Sequence, residues 1–483
     1  MAQIPPLKVE GYKGFGSFHS DSLSQLLQQG ITPFPAKIEA AFSSSISSSP
    51  LFSSLSSSND EGESASGEGV FFTAACKSDF LLDPAFAFLN HGAFGSPLRC
   101  LLDVANAWRE HVEKQPLLFI DRQLFPFLAR TMIELGQYLG VPAASIALTQ
   151  NVTTGLNAAI FSYAREVKER EGRGPKLGTL DIAYGAVKKM ISVAAEENGG
   201  EAVTLPVGSS FHDKAHFLTV LEEELTKVET CDVFVFDAVT SNTALLLPVR
   251  EVCEVLRRNG VKKIIVDGAH ALGQIPFGVE EGCERLDNID FDVFAFNCHK
   301  WMCVPRGCAF LVAPSPMKGE GAAPPTLRGR VVSHGTAEGW QESLLWDGAR
   351  DYSPSLTLPF ALRLWQSERM KSAVGAMRRY ATEQAEAMAR RWQTHILSPL
   401  DMRGAMLCVA LPSIPALPLP LSSSSAKAVQ DWLFDQNIEC PVKCIDGKLY
   451  LRLSFHVHCT GADVERLTSA IDALLHLPPI QDE

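Results

Sequence analysis

The sequence predicts an α/β protein with a large domain built on a mostly parallel sheet flanked by helices, followed by a smaller α+β C-terminal domain. Three observations carry that expectation. The runs "DVFVFDAVTS", "KKIIVDGAHA", "FDVFAFN" and "GCAFLVA" are short, apolar and rich in Val, Ile, Ala and Phe, as buried strands are. Charged amphipathic segments such as "PVREVCEVLRRNG" separate them as helices. From about residue 353 the texture changes to long helical stretches. The expected organisation is a flexible tail over 1–75, a large domain over 76–350 and a small one over 351–478.

In order along the chain, "AFSSSISSSPLFSSLSSSNDEGESASGEG" is Ser/Gly-rich, with too little apolar surface to offset the entropy of ordering, and reads as tail. "SPLRCLLDVANAWREHVEK" opens on Ser96 and Pro97, a cap and first-turn pair, and continues as an amphipathic helix. The four strands follow. "SPSLTLPFALRLWQSERMKSAVGAMRRYATEQAEAMARRWQ" is helical, "LPSIPALPLPLSSSS" is a Pro/Ser loop, and "SAKAVQDWLFDQN", "LYLRLSFHV" and "GADVERLTSAIDALL" read as helix, strand and helix.

With 483 residues and 46% hydrophobic composition, the chain can bury large cores. A net charge of −12 argues against a nucleic-acid partner, whose footprint is basic and clustered, and favours a small-molecule one. No apolar run approaches the roughly 18 residues of a membrane span. The 12 cysteines are scattered like reduced intracellular thiols. Cys440, Cys444, His456, His458 and Cys459 gather in a short span, yet Cys440 and Cys444 lack the two-residue separation of a zinc knuckle, so no metal is expected. The first arginine is Arg99 and acids occur throughout the tail, unlike a transit peptide, which makes the cytoplasm the expected compartment and leaves an organelle open. Neither a "GxxxxGK[ST]" nor a "GxGxxG" motif is present, which lowers nucleotide-hydrolase and dehydrogenase readings.

Polar residues at the carboxyl ends of parallel strands mark ligand sites. Asp267 ends "KKIIVD" and Lys300 follows "FDVFAFNCH". A strand-end Asp is either a turn cap or the partner of a cation, and a strand-end Lys either reaches solvent or, partly desolvated, forms a Schiff base with a carbonyl cofactor. "LTQNVTTGLNAAIF" puts Thr153 and Thr154 at a helix start suited to a phosphate or to ordinary capping. Tyr184, in "LDIAYGAVKKM", offers a ring that stacks on a planar ligand or packs in the core. A phosphate cradle, a stacking aromatic, an acid and an amine in that order specify pyridoxal 5'-phosphate.

These residues sit in segments that resemble class V aminotransferases of fold type I, within them the isopenicillin N epimerase-like and cysteine desulfhydrase-like branch. The resembling stretches include "FLNHGAFGSP", "QNVTTGLNAAI", "DIAYGAV", "VTSNTALLLPVREV", "IVDGAHALGQIP", "NCHKWMCVPRGCAFL", "WDGARDYSPSLTLPFAL" and "LYLRLSFHV", spread from about residue 86 to 476. The resemblance implies that Lys300 is the Schiff-base lysine and proton shuttle, that Asp267 partners the pyridine nitrogen and that His270 stands by the ring oxygen. It implies phosphate contacts from Thr153, Thr154, Asn297 and His299, and stacking from Tyr184. Arg452 is expected to grip the substrate carboxylate, with Asn90 and His91 lining the substrate mouth. Arg350 and Asp351 fall in a segment that in relatives crosses to a neighbouring subunit, implying a homodimer with shared sites. Ala349 replaces the family's usual threonine, and "FHVHC" its usual "QIYN" type, so His456 and His458 are expected to alter the pocket beside Arg452.

The resemblance further implies chemistry at the α-carbon of an amino acid. The preferred expectation is β-elimination from cysteine or a related sulfur amino acid, because no "SGSAC"-like loop supplies the mobile cysteine of a desulfurase. Epimerisation is the runner-up, with transamination behind it. A cofactor-free scaffold is the non-enzymatic alternative, disfavoured by the intact Lys300, Asp267 and Thr154 set.

Overall fold

A computed structural model describes residues 18–52, 68–314 and 325–478. Its centre is a seven-stranded sheet of β1 (Ile146–Thr149), β2 (Lys176–Leu180), β3 (Glu201–Leu205), β4 (Val233–Asp237), β5 (Lys263–Gly268), β6 (Val293–Asn297) and β7 (Ala309–Val312). The order across the sheet is β1-β7-β6-β5-β4-β2-β3, and only β7 runs against its neighbours. Every residue of β4, β6 and β7 is buried, as expected of strands covered on both faces. The helix Val152–Glu171 lies against this sheet at close range: a Cβ on Gly155 would come within 2.6 Å of Leu311 Cδ2. That approach aims the helix N-terminus at the carboxyl ends of β5 and β6.

A second, three-stranded sheet pairs β8 (Met406–Ala410), β9 (Val442–Ile445) and β10 (Lys448–Ser454) antiparallel, with β10 central. Its core recruits Ala87 and Leu89 from far upstream, because Ala87–Phe88 pairs in parallel with Ile438–Glu439. The change from one core to the other falls along the helix Glu368–Trp392: Met370 and Met377 join the large core, Ala381, Ala385 and Met388 the small one. The preceding helix, Ser353–Trp365, packs on Arg99–Lys114 and Leu124–Leu139 in the large core, so packing does not divide at residue 351.

The N-terminal region differs from the expected tail. Residues 18–52 carry the helices Leu23–Gln28 and Ala36–Ser47, the latter packed on Arg99–Lys114. Ile38, Leu51 and Phe52 are wholly buried, Arg130 lies 3.4 Å over the Phe34 ring, and Glu39 pairs with Arg363. The physical reason is that a few large apolar residues among the serines fall on one helix face and bury enough surface to offset ordering. Most of the acidic Ser/Gly-rich run, residues 53–67, lies outside the described residues.

Candidate active site

A cavity of about 410 Å³ opens between the carboxyl ends of the central strands and the small sheet. It is lined by Asp237, Asp267, Asn297 and Lys300 from the large sheet, by Thr153 at a helix start, and by Lys443 and Arg452 from the small sheet. Strand register brings the acids together: Asp237 and Asp267 are Cα partners on parallel β4 and β5, both only 3% exposed. Burial raises both carboxyl pKa values, and for Asp237 the neighbouring Asp267 charge raises it further. Each acid therefore resists ionisation while the other is charged. Asp267 Oδ1 accepts from Ala269 N (2.9 Å) and Asp237 Oδ2 from Tyr184 N (3.2 Å).

Lys300 is the cation of this wall. Burial pulls its amine down to about 8, against the pull of the Asp267 charge. Its Nζ lies 3.1 Å from His270 Nε2, and Trp301 Nε1 lies 3.2 Å from His270 Nδ1. An indole N–H can only donate, so His270 Nδ1 accepts and the neutral ring carries its proton on Nε2. Burial keeps that ring neutral, with its pKa far below the ordinary imidazole value. The Nε2–H then donates to Lys300 Nζ, which has a lone pair only as the free amine. The chain Trp301–His270–Lys300 thus favours the uncharged, nucleophilic form.

The other expected residues fall into place unequally. Asn297 Oδ1 accepts from Val152 N (3.1 Å), closing the helix start against β6. Thr153 is exposed toward the cavity, whereas Thr154 is occupied in the cap, with both N and Oγ1 donating to Asn151 Oδ1 (2.9 and 3.1 Å). Thr154 does not line the cavity wall. Tyr184, 44% exposed, and His299 also line the cavity, His299 with Nδ1 3.3 Å from Cys308 O and its pKa lowered by burial to about 4. Arg452, 5% exposed, donates through Nη1 to Ser241 O (2.9 Å) and through Nη2 to Asn90 Oδ1 (2.8 Å). Its Nε is buried without a partner among the described residues, leaving guanidinium hydrogens for a carboxylate.

Three expectations need correction. His91 does not line the cavity; it is fully buried behind Lys300, with Nε2 2.9 Å from Lys300 O and Nδ1 3.1 Å from His458 Nε2. His456 and His458 are also fully buried and away from the pocket beside Arg452, because the chain turns after Ser454 and carries them behind the Lys300 segment. His456 Nε2 lies 3.0 Å from Trp301 O. With Cys303, His91 and His456 bring their ligand-type atoms within 4.8 Å of one another, but both imidazole Nε2 atoms face carbonyls and so carry hydrogens. Gly95 fixes the closeness of this layer: with φ +66° it sits where a Cβ would meet His299 O at 2.0 Å.

Asp237, Lys443 and Gln430 line the cavity without having been expected there. Asp237 had the same signal as Asp267, an acid ending an apolar run in "DVFVFD". Cys440 and Cys459 are buried and unreactive by position, with burial pushing both thiols up, Cys459 to about 12. Arg350 stands apart from the cavity, paired with Asp347 (2.9 Å), its Nη2 buried without a partner among the described residues; Asp351 pairs with Arg109 (2.9 Å). No described helix is long and apolar enough to cross a membrane.

Comparison with known proteins agrees with this geometry. The family model described as "Aminotransferase class-V" matches residues 129–391. A protein named "Probable L-cysteine desulfhydrase, chloroplastic" from Arabidopsis thaliana is 27% identical over 414 residues, covering 81% of this chain and 84% of its own. "Isopenicillin N epimerase" from Streptomyces clavuligerus is 27% identical over 412 residues, covering 82% and 96%. Among solved structures, a cysteine desulfurase from Thermococcus onnurineus NA1 superposes with a TM-score of 0.63 at 15% identity, over 83% of this chain and 97% of that one. A C-DES variant with glycine covalently linked to its PLP cofactor gives 0.65 at 17% identity, over 82% and 99%. The chain belongs to the class-V aminotransferase family and is an enzyme that works with pyridoxal 5'-phosphate.

Proposed function

We propose that this enzyme is a C–S lyase that cleaves L-cysteine or a related sulfur amino acid, with water, to sulfide or thiol, pyruvate and ammonia. The observation that carries the reading is the buried Lys300 amine 3.1 Å from His270 Nε2, in a cavity that also contains a buried acid and an arginine whose Nε has no partner among the described residues. The residues fit the cofactor: a helix start with Thr153 for phosphate, Asp267 for the ring nitrogen, His270 for the ring oxygen and Lys300 for the carbonyl carbon. When bound, pyridoxal phosphate supplies an electron-accepting ring next to the substrate's α-carbon. Arg452 holds the substrate carboxylate with Asn90 steadying the guanidinium, and Lys300 is the base that takes the α-proton. Asp237 beside Asp267 makes double ionisation of the pair unfavourable, so a cationic ring would be answered by a single carboxylate. Ten of the 12 cysteines are buried, Cys283 and Cys444 are half-buried, and none lines the cavity, which favours release of sulfide over its transfer.

The relative named isopenicillin N epimerase, matched over 96% of its length, supports the second reading, inversion at the α-carbon. Incubating the holoenzyme with L-cysteine separates the two. The lyase reading expects sulfide and pyruvate in equal amounts, abolished in Lys300→Ala; α-proton exchange or inversion without pyruvate contradicts it. A homodimer with shared sites is also proposed, supported by the unpartnered Arg350 Nη2 and by exposed Phe94, Leu117 and Leu118.

A further inference from the structure

The small-sheet wall of the cavity carries two cations. Lys443 on β9 is the register partner of Tyr450 on β10, and Arg452 lies two residues further along β10. Residues opposite each other, and those two apart, share a sheet face, so Lys443 is the diagonal neighbour of Arg452 on the side that lines the cavity. Lys443 is half-buried, and burial followed by the Arg452 charge lowers its ammonium pKa. Among the described residues no carboxylate pairs with it, whereas Lys77 and Lys176, also part-buried, each pair with one. Two like charges in a part-buried wall repel and are unfavourable unless anions occupy the space before them. The substrate's α-carboxylate answers Arg452 and leaves Lys443 unanswered. The neighbouring Gln430 and Asn242 are neutral, and the Glu439 carboxylate, whose charge acts on Arg452, is engaged by Asn90 Nδ2 (2.9 Å).

We infer that Lys443 is a second anion-binding group that makes this site select amino acids whose side chain carries a negative charge, such as a sulfonated or carboxylated thioether. This rests on the amino-acid reading proposed above. It differs from a surface role, in which a strand lysine serves only solvation. The cation belongs to the small sheet and lines the same cavity as Lys300.

The test uses the holoenzyme and two sulfur amino acids that differ in side-chain charge, S-sulfo-L-cysteine and S-methyl-L-cysteine. β-Elimination of either gives pyruvate and ammonia, with thiosulfate or methanethiol leaving. Half-saturating concentrations are read from the change in cofactor absorption, which does not depend on turnover, and kcat/KM from pyruvate. In Lys443→Met the half-saturating concentration for S-sulfo-L-cysteine should rise on the order of tenfold while that for S-methyl-L-cysteine stays within about twofold, and Lys443→Arg should restore the wild-type ratio. Equal effects on both compounds, or no effect on either, in a variant that still takes up pyridoxal phosphate overturn the inference alone. A wild-type chain that takes up no pyridoxal phosphate overturns it together with the reading beneath it.

Discussion

Imidazoles flank the same short segment on two sides, alike in burial and different in what they touch. In front, His270 meets the Lys300 amine at 3.1 Å inside the cavity. Behind, His91 and His456 meet the backbone carbonyls of Lys300 and Trp301 at 2.9 and 3.0 Å, stacked on each other with ring centroids 4.1 Å apart. All three are driven neutral by burial. The contrast shows that the partner, not the residue type, assigns the role. A ring on a reacting atom sets its protonation, whereas a ring on a carbonyl holds the chain that carries the atom.

The comparison can be broken from the front. His270→Phe removes the donor to Lys300 Nζ and should lower kcat/KM for L-cysteine by roughly 100-fold or more, in the range of acid–base contributions, with pyruvate as the readout. Trp301→Phe is gentler. Without the indole N–H, the His270 ring is free to place its proton on Nδ1 and offer Nε2 as an acceptor, which stabilises the ammonium form of Lys300. The amine pKa, now about 8, should rise, and the pH midpoint of pyridoxal phosphate uptake with it, while kcat/KM near neutral pH falls roughly tenfold. An unchanged midpoint would remove the tautomer argument.

The rear group should respond in stability before chemistry. His456→Leu keeps the volume filled but leaves Trp301 O only the weak Cys303 thiol donor at 3.8 Å, a cost of about 1–3 kcal/mol by urea unfolding, with the pH midpoint of cofactor uptake unmoved. Its pH dependence has a definite sign. Burial lowers the folded His456 pKa to about 4, below the unfolded value near 6.5, so the unfolded state binds the proton first as pH falls. Stability from this group is complete above about pH 6.5 and is lost as pH drops toward about 4. The variant should show a shallower loss of stability over that window than the wild type.

The front of the site was the more legible half in the sequence. Asp267 and Lys300 announce themselves because a charged residue at the end of an apolar strand needs a reason to be there. Asp237 carries the same signal, but its meaning depends on β4 and β5 lying side by side in register, which is a property of the sheet order and not of either segment. The rear histidines were misplaced for a related reason. Alternation through "LYLRLSFHV" continues the strand past His456 to Val457, whereas β10 stops at Ser454 and the chain bends behind Lys300. Lys443 gains its meaning only from the antiparallel pairing with β10. At the N-terminus, serine content outweighed the few residues, Ile38, Phe42, Leu51 and Phe52, whose spacing secures the helix to the core.

The most direct measurement is borohydride reduction of the holoenzyme followed by peptide mass mapping. If the front of this segment presents an uncharged amine to the cofactor, the reduced pyridoxyl group should be found on Lys300, and label should vanish in Lys300→Ala. Label on another lysine, or none on a wild-type chain incubated with pyridoxal phosphate above pH 8, would contradict it.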